Sequence, residues 1–189
     1  MNGLSKVWIR RDKIREVLRL VLYNTLVLPV LLYNCGTWAM TKSDEDNIDA
    51  FHRNQLRRTI GKKWPHKISN KNLYKRCKAA PISLSILRSR WKLFGHVLRS
   101  DPRTPAFRAM MYYFEPSTAE KFRGRPRCTI VTTLNNDIQR TRSRLDTFPL
   151  KQLQNINDLQ YLGTLAQDRK VWRKLVEDIY IVAKAVKPL

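Results

Sequence analysis

The sequence has few acidic residues, few glycines and few cysteines. Fifteen Asp and Glu stand against 37 Lys and Arg, so the 189-residue chain has a formal net charge of +22. Its cysteines, Cys35, Cys77 and Cys128, are odd in number and widely spaced, which favours reduced thiols of an intracellular protein, in the nucleus or cytoplasm, over a disulfide framework. Six glycines and 43% hydrophobic residues indicate a packed core rather than general disorder.

The scarcity of acids limits the chemistry that the chain can perform. Metal-dependent phosphoryl or nucleotidyl transfer needs converging carboxylates. The one dense acidic cluster, residues 44–46 with Asp49 a turn later, opens a predicted helix, where acids complement the helix dipole. The His and Cys spacings do not match a zinc site, and no Gly-rich phosphate loop precedes a helix. The sequence therefore predicts no catalytic residue, no metal ligand and no cofactor.

Long apolar runs are also missing. The longest, Leu26 to Tyr33, is eight residues even with Pro29 included, whereas a spanning helix needs about 20. The first 15 residues are basic and lack the apolar core of a secretory signal. We therefore expect no membrane association and no secretion signal.

Helical spacing of apolar residues dominates the rest of the chain. It predicts an all-α fold, an irregular bundle of about six to eight helices, over residues 10–28, 41–60, 69–78, 82–99, 106–114, 129–145 and 157–186. Pro29 should end or kink the first helix, Gly61 should cap another, and a break is expected near Gly163. The first two helices are expected to bury a series of apolar residues, namely Ile14, Val17, Leu18, Val21, Leu22, Ile48, Phe51, Leu56 and Ile60.

The Lys and Arg residues are concentrated in one stretch. Seventeen of the 37 lie between Lys62 and Arg127, together with nine of the 18 aromatic residues. Such a density of one sign predicts a polyanionic partner, and nucleic acid is the natural candidate. A solvated basic surface is the alternative.

Three groups of cations are candidate contacts to nucleic acid. The first follows one face of the 82–99 helix: Arg88, Lys92 and Arg99, in line with Gly95. Gly95 would either let a phosphate backbone approach or let another helix pack there. Trp91 and Phe94 occupy the apolar stripe and are predicted to be core residues rather than base-stacking ones.

The second group, Arg57, Arg58, Lys62 and Lys63, surrounds the end of the preceding long helix. The third lies in the loop 121–127, where Gly124 and Pro126 favour an extended chain carrying Arg123, Arg125 and Arg127. Its Arg-Gly-Arg-Pro core is similar to an AT-hook, which lays Arg into a narrow A·T minor groove. An exposed basic tether is the alternative for this loop.

Several motifs occur in an order that resembles a known family. They are Leu26-Val27-Leu28-Pro29-Val30-Leu31-Leu32-Tyr33, Thr37-Trp38, the stretch 50–61, Pro81-Ile82-Ser83-Leu84, the stretch 90–99, Gly124-Arg125-Pro126 and the stretch 166–173. Together they resemble the region after the polymerase palm in LINE-type non-LTR retrotransposon reverse transcriptases (endonuclease–reverse transcriptases). The resemblance covers about residues 4–176.

The resemblance implies a thumb-like helical module over 1–114, a basic linker over 115–128 and a C-terminal helical segment over 129–189. It implies contact with template RNA or an RNA–DNA hybrid, and with the upstream palm of the same polyprotein. Catalytic carboxylates of such RNA-directed DNA polymerases lie in that palm, and this chain has no Asp-Asp pair. We therefore expect a non-catalytic nucleic-acid-binding piece. An AT-hook-like architectural protein and a helical protein-interaction scaffold are the alternatives.

Overall fold

The computed structural model describes residues 13–62, 65–114, 124, 128–142, 150 and 152–187. The predicted all-α class is confirmed, since no strand occurs among these residues. The α-helices are α1 (Glu16–Leu22), α2 (Leu28–Leu31), α3 (Lys42–Ile60), α4 (Asn70–Cys77), α5 (Ile82–Leu98), α6 (Pro105–Tyr112), α7 (Ile130–Arg142), α8 (Ile156–Gln167) and α9 (Arg169–Val186). A π-helical turn, Tyr23–Val27, joins α1 to α2, and a 3-10 turn spans Cys35–Thr37.

The chain divides into two compact units. The first comprises Met1–Cys35, Lys42–Ser85 and Leu189, and the second comprises Gly36–Thr41 and Ile86–Pro188. Helix α5 contributes its first residues to the first unit and the remainder to the second. Most of the expected linker, 115–128, lies outside the described residues, so the division into 1–114, 115–128 and 129–189 stays a prediction.

In the first unit, local capping sets the helix ends. Ser69 is the N-cap of α4, and its Oγ accepts a hydrogen bond from the backbone N–H of Asn72. Gly61 follows α3 with a φ of 78°, the left-handed conformation that glycine adopts at least cost. Asp49 accepts from the backbone N–H and the hydroxyl of Ser83, at 3.0 and 2.8 Å, which ties the start of α5 to α3.

The core of the first unit contains a polar pair among apolar side chains. Its buried cluster is Tyr23, Leu56, Ile60, Leu73, Tyr74 and Cys77. The Tyr23 hydroxyl lies 2.8 Å from Nδ1 of the buried His52, and the two rings stack with their centroids 5.7 Å apart. Burial lowers the pKa of His52 to about 4, so the ring is neutral at pH 7.

The predicted inner face of the first helix is wrong. Val17, Leu18 and Val21 are 73%, 50% and 48% exposed, whereas Arg19 and Tyr23 are buried. Helix α1 packs against α3, and this contact selects the side that is buried. Pro29 lies in the first turn of α2, a position that tolerates its missing N–H, so the helical segment continues to Leu31 instead of ending at Pro29. On α3, Phe51 is 40% exposed and its neighbour His52 is buried instead.

The second unit is built around an aromatic cluster. Trp91, Phe94 and Trp172 are all buried, with ring centroids 5.8–6.2 Å apart. Leu134, Ile138, Leu162, Val176 and Ile179 continue this core. The prediction that Trp91 and Phe94 are core residues is therefore confirmed.

A buried ion pair joins α5 to α7 inside this core. Arg90 Nη1 donates to Asp137 Oδ2 at 2.7 Å, and each side chain is 1% exposed. Trp91 Nε1 donates to the same oxygen at 3.2 Å. Burial raises the pKa of Asp137, and the charge and hydrogen bond of Arg90 oppose that rise.

The last predicted helix, 157–186, is broken at a different residue from the one expected. Gly163 lies inside α8, and the break falls at Asp168, where ψ is 105°. Asp168 Oδ1 accepts from the backbone N–H groups of Lys170 and Val171 and so caps α9. An N-cap residue with extended backbone starts a new helix, so the Asp carries the boundary rather than the glycine. No helix in the described part of the chain combines the length and apolar character needed to cross a bilayer.

Candidate anion-binding pocket

Helices α5 and α9 line a pocket of about 480 Å³ in the second unit. Helix α5 contributes residues at positions i, i+4 and i+8 and is followed by a fourth at i+11, and α9 contributes residues at i, i+3, i+4, i+7 and i+8, so each helix presents one face. The lining residues are Arg88, Lys92, His96, Arg99, Arg169, Trp172, Arg173, Val176 and Glu177. Five of them are Lys or Arg and one is acidic, which makes the pocket strongly cationic.

The base of the pocket depends on a glycine. Trp172 and Val176 are buried, and Trp172 Nε1 donates to the carbonyl of Trp91 at 3.1 Å. A Cβ on Gly95 would lie 2.0 Å from Trp172 Nε1, well inside van der Waals contact. Of the two interpretations of Gly95, the structure supports helix packing. The alternative, that a phosphate backbone approaches this glycine, is wrong, because Trp172 occupies the space. The glycine lets the indole of α9 lie directly on α5.

Arg88 is held in place by two contacts. Its Nη2 donates to Glu177 Oε2, and its guanidinium lies over the Tyr180 ring, 5.1 Å from the centroid. No described residue accepts from Arg88 Nε, which is buried. One donor of this guanidinium edge is therefore used by the protein and the other is not.

Arg99 lies at the other end of the α5 stripe. Its Nη1 donates to the carbonyl of Ala166 at 3.0 Å. Burial, and then the positive charge of Arg169, lower the pKa of Arg99, although an arginine remains protonated at any physiological pH. Two guanidinium groups facing one another raise the local potential and favour an anion between them.

The remaining cations of the pocket are available to solvent. Lys92, Arg169 and Arg173 are exposed, and no ion pair among the described residues involves them. Because no ion pair among the described residues has to be broken, these three side chains can contact phosphate groups directly.

The second predicted cationic group has a different environment. Arg57 Nη2 donates to Asn70 Oδ1 at 2.7 Å and to the Ile68 carbonyl at 3.4 Å, so it fastens the segment before α4. Arg58 is exposed and Lys62 half-buried, and Lys63 lies outside the described residues. This group stays a prediction. Arg123, Arg125 and Arg127 of the third group also lie outside the described residues, where Gly124 alone is described, exposed and with a φ of 121°.

The acidic cluster at the start of α3 does not form a metal site among the described residues. Glu45 and Asp49 are buried, and Asp49 is committed to Ser83. No group of three or more His, Cys, Asp or Glu side chains in the described part of the chain is arranged to hold a metal ion.

The sequence predicted three of the nine residues that line the pocket. It selected Arg88, Lys92 and Arg99 but omitted His96, Arg169, Arg173 and Glu177. The i, i+4 spacing of Arg169 and Arg173 was a usable local signal, but their position opposite α5 depends on tertiary packing. The fold and site thus define an all-α protein with a cation-lined pocket between two helices. Comparisons with protein-family models, with curated proteins and with solved structures yield no match.

Proposed function

We propose that this chain is a nucleic-acid-binding helical module that contacts RNA, or an RNA–DNA hybrid, through phosphate groups. The sequence resemblance to the thumb and C-terminal region of LINE-type non-LTR reverse transcriptases suggests that setting, with the palm as an upstream partner. The observation that carries the proposal is the pocket between α5 and α9, where five Lys or Arg side chains face one acid. A cluster of this kind is most stable beside a polyanion.

The aromatic residues favour phosphate contact over base stacking at this pocket. Trp91, Phe94 and Trp172 are no more than 3% exposed, so their faces are not available to an unpaired base. The Tyr180 ring is covered by Arg88. Recognition through phosphates positions a strand without reading its sequence, so the module should bind with little sequence preference.

The size of the cationic stripe suits a strand rather than one phosphate. Arg88 lies on α5 and Arg99 directly follows its last residue, 11 residues later, which corresponds to about 16 Å along the helix axis. Arg169 and Arg173 line the opposite side. Two facing rows of cations can follow several consecutive phosphates.

The test compares two double variants of α9. Arg169→Gln with Arg173→Gln removes two charges that line the pocket, whereas Lys170→Gln with Lys174→Gln removes two exposed charges that do not. Both variants change net charge equally on the same helix. Affinity is measured by fluorescence anisotropy with a labelled single-stranded RNA, an RNA–DNA hybrid and a DNA duplex, over a range of salt concentrations.

We expect the pocket variant to bind more weakly and to flatten the plot of log K against log salt. Two lost phosphate contacts reduce the slope by about 1.4 on a single strand, and the control variant should retain most of the wild-type slope. Equal slopes in the two variants would remove the pocket from the interface. Wild-type protein that binds no oligonucleotide at low salt would overturn the function itself, and preference for A·T-rich duplex over RNA would favour the AT-hook-like alternative.

A further inference from the structure

The one acidic residue of the pocket is paired with one of its cations, and this suggests how phosphate enters. We propose that Glu177 is an internal competitor for the ligand: a phosphate group replaces its carboxylate on Arg88 when the pocket binds. The ligand class is a run of adjacent phosphate groups, from a strand backbone or from a free polyphosphate. The proposal rests on the proposed function and names a residue that limits its affinity.

The contact between Arg88 and Glu177 can be exchanged at low cost. The two side chains are 41% and 40% exposed, and ion pairs with such access to solvent contribute about 0–1 kcal/mol. A backbone phosphate carries the same single negative charge as the carboxylate, but it offers more acceptor oxygens than the carboxylate uses, and a strand brings several adjacent phosphates to the other cations. Exchange of one anion for the other on Arg88 is therefore favourable whenever the other cations of the pocket also hold the phosphate.

The guanidinium of Arg88 is suited to such an exchange. Nη2 is the donor that Glu177 occupies, and Nε lies on the same edge of the guanidinium without an acceptor among the described residues. A phosphate that replaces the carboxylate on Nη2 lies beside this second donor, which the carboxylate leaves unused. The Tyr180 ring keeps the guanidinium plane in place during the exchange.

The position of Glu177 adds a second effect of the same sign. Arg173 is four residues before it on α9, and both line the pocket. A carboxylate at this place lowers the positive potential that a phosphate meets and repels the phosphate once it is bound. Removal of its charge should therefore strengthen binding at this pocket by relieving both competition and repulsion.

Glu177→Gln tests this inference, with Asp178→Asn as the matched control. Asp178 is the next residue on α9, is half-buried and does not line the pocket. Both variants remove one negative charge, so general electrostatic attraction changes equally. We expect Glu177→Gln to tighten binding of a labelled single-stranded RNA about three- to fivefold and Asp178→Asn to change it less than twofold. In an Arg88→Gln background the competition for Arg88 is gone, so the gain from Glu177→Gln should shrink to the part that relief of repulsion contributes.

The outcomes separate this inference from the function on which it rests. If Glu177→Gln and Asp178→Asn change the RNA affinity equally, the competitor role is overturned and nucleic-acid binding is left intact. An undiminished gain from Glu177→Gln in the Arg88→Gln background would have the same meaning. A wild-type protein that binds no RNA would overturn both the competitor role and the proposed function. Competition by inorganic tripolyphosphate that strengthens in Glu177→Gln would assign the pocket to free polyphosphates as well, whereas tighter RNA binding without such competition would assign it to backbone phosphates.

Discussion

Replacement of Gly95 by alanine should destabilise the second unit, although alanine favours a helix more than glycine does. The new Cβ would lie 2.0 Å from Nε1, 2.4 Å from Cε2 and 2.6 Å from Cδ1 of Trp172. Ordinary contact begins near 3.4 Å, so the indole or the backbone of α5 has to move by about 1.4 Å. Such a shift breaks the hydrogen bond of 3.1 Å from Trp172 Nε1 to the Trp91 carbonyl.

The expected cost follows from three contributions. Overpacking of a dense core costs about 1–3 kcal/mol, and loss of a partner for a buried donor costs about 1–3 kcal/mol. The higher helix propensity of alanine returns about 1 kcal/mol. The net loss is about 3 kcal/mol, which corresponds to a decrease in Tm of about 6–12 °C for a chain of this size.

Gly163→Ala is the matched control for this substitution. Gly163 also lies inside a helix, and nothing approaches within 4 Å of its added Cβ. It should gain about 1 kcal/mol, or about 2–4 °C in Tm. Both variants are followed by circular dichroism at 222 nm and by tryptophan fluorescence. A Gly95→Ala protein that melts at or above the wild-type temperature would refute the close packing of Trp172 on α5.

Two further predictions concern buried polar groups. Asp137→Ala should lower the free energy of unfolding, measured by chemical denaturation, by about 3–5 kcal/mol, because Arg90 is left charged and buried. The double variant Arg90→Met, Asp137→Leu should lose less than the two single variants together, the remaining loss including the acceptor of Trp91 Nε1. An additive double loss would contradict the pairing. The pKa of His52 is lowered to about 4, so the unfolded chain binds a proton that the folded chain refuses between pH 6.5 and 4. The free energy of unfolding of the wild type should therefore fall by up to about 3 kcal/mol, relative to that of His52→Gln, as the pH is lowered through this window. If the difference between the two free energies stays constant from pH 7 to 4, the ring is not buried in its neutral form.

The helix boundaries were predictable because the signals for them are local. Ser69, Gly61 and Pro81 act on backbone groups within a few residues, so the predicted bounds of α3, α4 and α5 agree with the structure to within about two residues. The inner face of α1 was not predictable in the same way. The burial of Arg19 in place of Val17, Leu18 and Val21 depends on the helix that packs against α1, which no local signal specifies.

The candidate site illustrates the same distinction between local and tertiary information. The stripe of Arg88, Lys92 and Arg99 follows from helical spacing alone, and the pocket includes all three. Arg169 and Arg173 form an equally regular stripe, but no local signal states that α9 packs against α5. That information lies in the buried residues between the stripes, chiefly Trp172, whose indole needs a partner without a side chain.

Gly95 connects the stability of the second unit to the geometry of its pocket. The residue lies on α5 between Lys92 and the end of the helix, where Arg99 follows, and its missing side chain admits Trp172 from α9. Trp172 is flanked on its own helix by Arg169 and Arg173, which line the same pocket. A side chain at position 95 would move that indole, and with it the cations on either side, away from α5. The two rows of charge therefore face one another because of an apolar contact beneath them, and the aromatic core sets the spacing at which the pocket can hold an anion.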